Sequence, residues 1–120
     1  VTAAIPDLIN SNNVHTVKAR YVVEGSNIPM TAAIEQMLFK KSILVVPDFV
    51  ANAGGVISSY AEYKGKNPQD MFKLVEKKIT RNTKIVLEQA KKDGTKLRDA
   101  AMQIAVARVL KNCKTCGTPK

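Results

Sequence analysis

Two short stretches of small and polar residues have the composition of a ligand-binding site. The first is Gly25-Ser26-Asn27, and the second runs from Asp48 to Gly55 before a polar stripe continues into residues 56–63. Small residues let the backbone come close to a bound molecule, and an Asn amide offers a hydrogen-bond donor and an acceptor without carrying charge. Both stretches are therefore candidates for lining a ligand-binding site.

Three residues of the second stretch have the spacing of one helix face. Asn52, Val56 and Ser59 are separated as i, i+4 and i+7, which stacks their side chains along a helix. Such a face presents an amide, a small aliphatic group and a hydroxyl, and it suits a short molecule with polar ends and an aliphatic stem. A purely structural explanation fits equally well, because Gly54 and Gly55 allow close helix–strand packing and Asn52 could cap the helix.

The groups that enzymes commonly use for proton transfer or phosphate binding do not stand out. No G-x-G-x-x-G follows a predicted strand, and His15 is a lone histidine in a polar segment where exposure is expected. The lysines of the first half, Lys18, Lys40 and Lys41, flank helices and strands and are expected to be solvated. We therefore predict no catalytic residue and no metal site in this chain.

The cysteines, Cys113 and Cys116, form a single Cys-x-x-Cys near the end of the sequence. Without a second pair or a nearby His, the motif supplies at most half of a zinc site. It follows a predicted helix and not a strand, unlike a thioredoxin-type motif, so we interpret residues 113–120 as a flexible tail. Thiols left free suit a reducing compartment, and we predict a cytoplasmic protein.

The net charge of +9 is confined to the second half of the chain. Residues 1–60 carry four basic and four acidic residues, so the whole excess lies in residues 61–120. The lysines are scattered around predicted helices without interleaved aromatics, which favours a solvated face over a nucleic-acid site. A stand-alone basic module that binds nucleic acid or a partner subunit is the alternative function. No apolar run approaches the roughly 18 residues of a membrane span.

The elements that must position the polar stretches alternate in the first half. Residues 20–25 form a β-branched run ended by Gly and predict a strand. Thr31 is the expected N-cap of a helix that runs to about Lys40. The continuously apolar residues 43–46 predict a central parallel strand covered on both faces, and a helix over about 50–63 follows.

The second half is predicted to be helical. A long helix over about 67–92 should end at Gly94, and a last helix should run over about 97–111. The whole chain is therefore an α/β protein, with a partial parallel sheet in residues 1–66 and C-terminal helices in 67–112. Because ligands of open α/β sheets bind beyond the carboxyl ends of the strands, the two polar stretches should meet at that edge.

Three blocks resemble the C-terminal part of the glutamate dehydrogenases, within the wider family of dehydrogenases for glutamate, leucine, phenylalanine and valine. They are VVEGSNIPMT at 22–31, ILVVPDFVANAGGVISSYAEY at 43–63 and RDAAMQIAVARV at 98–109. The P-D-x-x-x-N-A-G-G-V pattern is highly specific, and the resemblance extends to about Leu110. It implies the second half of a Rossmann-like dinucleotide-binding domain, followed by helices that pack back toward another domain. Two residues depart from the family's usual loop sequence, namely Met30 and Ala32.

The resemblance also implies a role for each candidate residue. Gly25-Ser26-Asn27 would lie by the ribose and nicotinamide of NAD or NADP, and Asn52 near the nicotinamide and the α-end of the substrate. Val56 would line the side-chain pocket. Ser59 matches the position that hydrogen-bonds the side-chain carboxylate in glutamate enzymes, and leucine-type relatives carry an apolar residue there. Ser59 therefore favours glutamate and 2-oxoglutarate.

The family's catalytic Lys and Asp, and its glycine-rich fingerprint, belong upstream of every residue in this chain. The resemblance thus implies a fragment of an NAD(P)-dependent glutamate dehydrogenase that oxidatively deaminates glutamate to 2-oxoglutarate and ammonia. An N-terminal catalytic domain would be its missing partner, and the full-length protein would be a homo-oligomer, a hexamer by resemblance. We expect the 120-residue chain to be inactive by itself.

Overall fold

Two parallel strands and the helices around them make up the structure, a computed structural model that describes residues 1–3 and 5–113. The strands within this part are β1 (Tyr21–Val23) and β2 (Leu44–Val46). Its α-helices are α1 (Ala32–Lys40), α2 (Asp48–Ala51), α3 (Gly54–Tyr63), α4 (Pro68–Asp93) and α5 (Leu97–Asn112), and a short 3-10 helix spans Val14–Thr16.

The strands pair in parallel with Val22 opposite Val45, and α1 makes the connection between them. Valine is stiff at its first side-chain torsion and favours this extended backbone. On the other side of β1, Thr2 forms an isolated parallel bridge to Glu24, and its N–H donates to the Val23 carbonyl at 3.0 Å. The predicted α/β class with a partial parallel sheet is therefore confirmed.

Each face of the sheet carries its own hydrophobic cluster. Alternate residues of a strand point to opposite faces, so Val45 and Val46 belong to different clusters. The first cluster contains Ile9, Val14, Val22, Met30, Ile34, Leu38, Ile43 and Val45. The second contains Val50, Val86, Ala90, Leu97, Ala100 and Ala101, with Val46 and Ile104 packed against it. The C-terminal helices thus cover the face of the sheet opposite α1.

The second face is covered incompletely. Leu44 at the start of β2 is 36% exposed, although its neighbour Val45 is buried. It lines an open apolar groove of about 410 Å³ together with Phe39, Leu87 and Leu97. The prediction that β2 is covered on both faces is therefore wrong for Leu44, because Phe39, Leu87 and Leu97 leave an open groove beside it.

Local signals fix the ends of the long helices as predicted. The Thr31 hydroxyl accepts a hydrogen bond from the Ile34 N–H at the start of α1, and the Asn67 side chain accepts from the Asp70 N–H at 2.9 Å at the start of α4. Gly94 ends α4 with φ 64°, in the left-handed region that glycine tolerates best.

The predicted continuous helix over residues 50–63 is wrong. The structure contains two helices instead, because α2 ends at Ala51 and α3 begins at Gly54. Asn52 and Ala53 form the break. At this break the Asn52 amide turns toward Asn27, at 2.6 Å, while α3 turns to pack against α4. The break thus allows both the Asn52–Asn27 hydrogen bond and the packing of α3 on α4.

The expectation of free thiols is wrong at Cys113, which is disulfide-bonded. The remainder of the tail, residues 114–120, lies outside the described residues. The prediction that the tail is flexible concerns these residues and stays a prediction. Within the described part of the chain, no helix combines the length and the hydropathy needed to cross a membrane.

Candidate functional site

An open cleft of about 710 Å³ lies beyond the carboxyl ends of β1 and β2. All six candidate residues line it, although they come from two separate stretches of sequence. The lining residues are Ala3, Pro6, Gly25, Ser26, Asn27, Asn52, Gly55, Val56 and Ser59. We name residues 25–27 the first cleft wall. Asn52, Gly55, Val56 and Ser59 form the second cleft wall.

A hydrogen bond joins the two walls directly. The Asn52 side-chain N–H donates to the Asn27 side-chain oxygen at 2.6 Å. This bond uses one of the two N–H groups of the Asn52 amide and one lone pair of the Asn27 oxygen. Because an amide group has two donors and two lone pairs, both side chains keep capacity to bind a polar ligand in the cleft.

The first cleft wall is shaped by the N-terminal segment behind it. A Cβ atom at Gly25 would lie 2.9 Å from the Thr2 carbonyl oxygen, so only glycine fits there. The same carbonyl accepts a hydrogen bond from the Ser26 N–H at 2.8 Å. Within the described residues the buried Ser26 hydroxyl has no hydrogen-bond partner, and an orphaned hydroxyl of this kind is costly unless a ligand or water satisfies it.

The second cleft wall differs from the predicted single helix face. Asn52 precedes α3, so only Val56 and Ser59 share that helix. Asn52 is not the N-cap of α3, which is Ala53 with no side-chain cap, but it is the C-cap residue of α2, where its N–H donates to the Asp48 carbonyl. Val56 is 77% exposed, which leaves an apolar group open to the cleft.

The Ser59 hydroxyl is already engaged within its helix. It donates to the Gly55 carbonyl at 3.1 Å, and the Ser58 hydroxyl donates to the same carbonyl at 2.8 Å. A hydroxyl has one hydrogen to donate. To donate to a carboxylate in the cleft, Ser59 must rotate away from Gly55, and the Ser58 bond to that carbonyl remains in place when it does.

None of the residues that line the cleft is charged. Neutral amides, the orphaned Ser26 hydroxyl and a volume of about 710 Å³ fit the uncharged nicotinamide and ribose portion of a dinucleotide. The lining offers no cation for a phosphate group. Among the described residues no group of three or more His, Cys, Asp or Glu side chains could hold a metal ion.

Four charged residues form an ion cluster between the two strand ends. Arg98 on α5 donates from Nε to Glu35 at 2.8 Å and from Nη1 to Asp48 at 3.1 Å, and Nη2 pairs with Glu24. We call these four residues the Arg98 cluster. Its sequence signal is weak. Glu24 and Asp48 are acidic residues next to apolar runs, and nothing in the sequence connects them with a basic residue at least 50 positions away.

Burial and pairing act against each other on the acids of this cluster. Burial raises the pKa of Glu24 above its usual value, although the Asp48 N–H and Arg98 oppose the rise. Burial also raises the pKa of Asp48, but hydrogen bonds from Ile28, Phe49 and Arg98 outweigh it and bring the pKa below its usual value. The pKa values of two acids that share one guanidinium are thus shifted in opposite directions.

A parallel strand–helix–strand unit with a polar cleft at the carboxyl ends of its strands defines an α/β protein of the Rossmann type. The sequence model described as Glutamate/Leucine/Phenylalanine/Valine dehydrogenase matches residues 1–117. This chain belongs to that family, as the three sequence blocks predicted.

Curated relatives carry the name of one activity within the family. Glutamate dehydrogenase from Aeropyrum pernix is 40% identical and matches 98% of this chain, and the NADP(+)-dependent glutamate dehydrogenase from Pyrobaculum calidifontis is 38% identical over 98% of it. The chain spans about 30% of the length of these relatives. The alternative of a stand-alone basic module receives no support from these comparisons.

Solved structures of the family share the fold. L-tryptophan dehydrogenase from Nostoc punctiforme has a TM-score of 0.82 and 31% identity over 94% of this chain and 34% of that protein. Hetero-hexameric glutamate dehydrogenase from Thermus thermophilus, in its Leu-bound form, has a TM-score of 0.81 and 26% identity over 98% of this chain and 30% of that protein. Both matches extend over strands, cleft and C-terminal helices together.

Proposed function

We propose that this chain supplies part of the cofactor site and one side of the substrate pocket of an NAD(P)-dependent glutamate dehydrogenase. The reaction is the oxidative deamination of glutamate to 2-oxoglutarate and ammonia. The observation that carries the proposal is the uncharged cleft, in which both polar stretches meet at the carboxyl ends of parallel strands. The names of the curated relatives support the choice of reaction.

The first cleft wall and Asn52 are the residues that would hold the nicotinamide and its ribose. The Ser26 hydroxyl and the two joined amides offer hydrogen bonds to a carboxamide and to sugar hydroxyls. A bound nicotinamide would supply a hydride acceptor for the α-carbon of glutamate, and hydrolysis of the product imine by water would give 2-oxoglutarate and ammonia. Relatives named as NADP-dependent or NADP-specific support a nicotinamide dinucleotide, NAD or NADP.

Val56 and Ser59 are the residues that would contact the side chain of the substrate. The exposed Val56 packs against the methylene groups of glutamate, and the Ser59 hydroxyl rotates from Gly55 to donate to the side-chain carboxylate. A hydrogen bond to a charged group is stronger than one to a neutral group, so the exchange favours glutamate. The Nostoc punctiforme relative is described as acting on L-tryptophan, which makes substrate choice the part of the proposal to test most directly.

The groups that move protons come from outside this chain in our proposal. We propose an N-terminal catalytic domain as the partner of residues 1–66, with residues 67–112 as C-terminal helices that pack on this dinucleotide-binding half. A length of about 30% of the relatives supports a larger protein, and the hetero-hexameric Thermus thermophilus enzyme supports a hexamer. The cytoplasmic location stays a prediction, to be checked by cell fractionation.

A comparison of two purified proteins tests the function. The gene product that contains this chain should reduce NAD or NADP when glutamate is added, with ammonia and 2-oxoglutarate formed in equal amounts. The 120-residue chain alone should not, because its cleft lacks a charged group for proton transfer. Glutamate oxidation by the chain alone, or no glutamate-dependent reduction by the gene product with either dinucleotide, would contradict the proposal.

A further inference from the structure

Arg98 lies far along the chain from both cleft walls, yet its side chain contacts an acid next to each of them. We propose that Arg98 is a positioning residue that sets the separation and orientation of the two cleft walls. The catalytic consequence of this role rests on the function proposed above, whereas the structural role does not. Two of the three acids that pair with Arg98, Glu24 and Asp48, also accept backbone N–H groups next to the cleft walls.

Glu24 connects Arg98 to the first cleft wall. It directly precedes Gly25, and its side chain is fully buried. One carboxylate oxygen, Oε2, pairs with Arg98 Nη2 and also accepts the Asp48 backbone N–H at 2.8 Å. The same oxygen thus joins the residue after β1 to the start of α2 and the start of α5.

Asp48 connects Arg98 to both walls at once. Its Oδ2 accepts the Ile28 N–H at 3.0 Å, which fixes the segment just after the first cleft wall. Its Oδ1 accepts the Phe49 N–H at 2.9 Å and the Arg98 Nη1 N–H at 3.1 Å. Its carbonyl oxygen accepts the Asn52 N–H at 2.8 Å, so the same residue also orients the start of the second cleft wall.

Charge and shape both require an arginine at this position. Three carboxylates surround the site, and without a cation they would repel one another in a buried setting. The guanidinium offers donors in a fixed planar fork, whereas a lysine ammonium is a single point charge on a flexible stem. Arg98→Lys therefore keeps the charge but cannot hold all three acids in the same arrangement.

Glu35 offers a comparison within the same cluster. It pairs with Arg98 Nε at 2.8 Å from helix α1 and is buried. Among the described residues, no hydrogen bond joins the Glu35 side chain to either cleft wall. A purely stabilising ion cluster would respond similarly to the loss of any acid, whereas a positioning cluster should respond more at Asp48 than at Glu35.

Amide hydrogen exchange on the intact protein tests the positioning role without any assay of activity. In Arg98→Lys we expect faster exchange at the N–H groups of Ile28 and Asp48, by at least about tenfold, because both donate to acids that Arg98 holds. Val86→Ala is the control, since Val86 is buried in the second hydrophobic cluster and does not line the cleft. Unchanged exchange at both amides in folded Arg98→Lys, or an equal increase in Val86→Ala, would overturn the proposal.

Steady-state kinetics then tests the link to catalysis. At a temperature well below the unfolding of every variant, Arg98→Lys should lower kcat/KM by on the order of 10- to 100-fold, because misplaced binding groups are costly in rate. Glu35→Gln should have a smaller effect, and millimolar guanidinium should partly restore the activity of Arg98→Ala.

If wild-type protein shows no glutamate-dependent reduction, the proposed function fails, and the exchange result still decides the role of Arg98. Equal losses in Arg98→Lys and Val86→Ala would leave Arg98 with a stabilising role only.

Discussion

Ser58 and Ser59 are adjacent serines whose hydroxyls have the same hydrogen-bond acceptor but different surroundings. Both donate to the Gly55 carbonyl, but only Ser59 lines the cleft. The pair therefore separates what a serine contributes to the helix from what it contributes to a ligand. The residue types predicted from sequence which side chains line the cleft, whereas the hydroxyl bonds of Ser58 and Ser59 depend on the folded helix.

Substitution of Ser59 tests substrate choice at this scale. Ser59→Val in the full-length enzyme should lower kcat/KM for glutamate by on the order of 10- to 1000-fold, through loss of roughly 1.5–4 kcal/mol of hydrogen bonding to a charged group. Ser58→Val is the matched control, and its kcat/KM should stay close to wild type. Unchanged glutamate kinetics in Ser59→Val would refute the role assigned to Ser59.

Asp48 should control stability at low pH. Its pKa in the folded protein lies below the usual value of 3.8, so its stabilising contribution is complete above that value and is lost as pH falls through the folded pKa. Asp48→Asn should be less stable at neutral pH and should lose less stability on acidification below about pH 4. Urea unfolding measured across this range checks the prediction, and equal pH slopes in both proteins would contradict it.

Glu24 should have the opposite effect on how stability depends on pH. Its pKa in the folded protein lies above the usual value of 4.5, so its contribution is present below that value and is lost as pH rises through the folded pKa. Glu24→Gln should therefore lose less stability than wild type as the pH rises above about 4.5. The same urea series measures this slope, and an unchanged slope would show that Glu24 ionises in the folded protein as it does in the unfolded chain.

The helices and strands were largely predictable, and the break between α2 and α3 was not. Strand β1 follows from its β-branched run, and α1 and α4 follow from their caps. The break depends on a partner of Asn52 that lies 25 positions away. A local pattern carries no information on such a partner, so Asn52 to Ser59 read as one helix. The Arg98 cluster was missed for the same reason.

The paired glycines at the start of α3 should behave differently from each other. A Cβ at Gly55 would meet nothing within 4 Å, whereas a Cβ at Gly54 would lie 3.3 Å from Val75. Gly55→Ala should therefore raise the free energy of unfolding by about 0.4–1 kcal/mol, and Gly54→Ala should give no gain. Urea unfolding measures both.

Gly55 also lines the cleft, so its methyl substituent should reduce dinucleotide affinity while it stabilises the fold. Titration of NAD or NADP into the intact protein measures this part of the prediction. Equal stability and affinity in the two alanine variants would show that the glycines are interchangeable.

Across the whole molecule, the charge asymmetry belongs to the exposed faces of the C-terminal helices. Helix α4 buries only Val86 and Ala90 among its residues, so its lysines are solvated, as their scattered spacing predicted. The coverage of the sheet was not predictable from the apolar run of β2, because coverage depends on where α4 and α5 pack. Leu44 remains partly exposed for that reason.

The packing of α5 against the sheet should contribute a large part of the stability. Leu97 is buried at 4% exposure, and Leu97→Ala should lower the free energy of unfolding by about 2–5 kcal/mol through lost burial and a cavity. Met102→Ala on the same helix, where the side chain is 50% exposed, should change it by less than about 0.5 kcal/mol. Similar losses in the two variants would show that Leu97 does not contribute more to the packing of α5 than an exposed residue does.

The pairs that Arg98 makes have a consequence for the order of folding. They join residues that are 74, 63 and 50 positions apart, and contacts of long sequence separation form only after the entropy of closing a long loop has been overcome. The strands and α1 can form from nearby residues, but the acids at the two strand ends lack their cation until α5 has docked. On the ribosome, β1 and β2 are complete well before Arg98 is synthesised. A nascent chain therefore contains the cleft residues for some time before it contains the cation that joins the acids beside them.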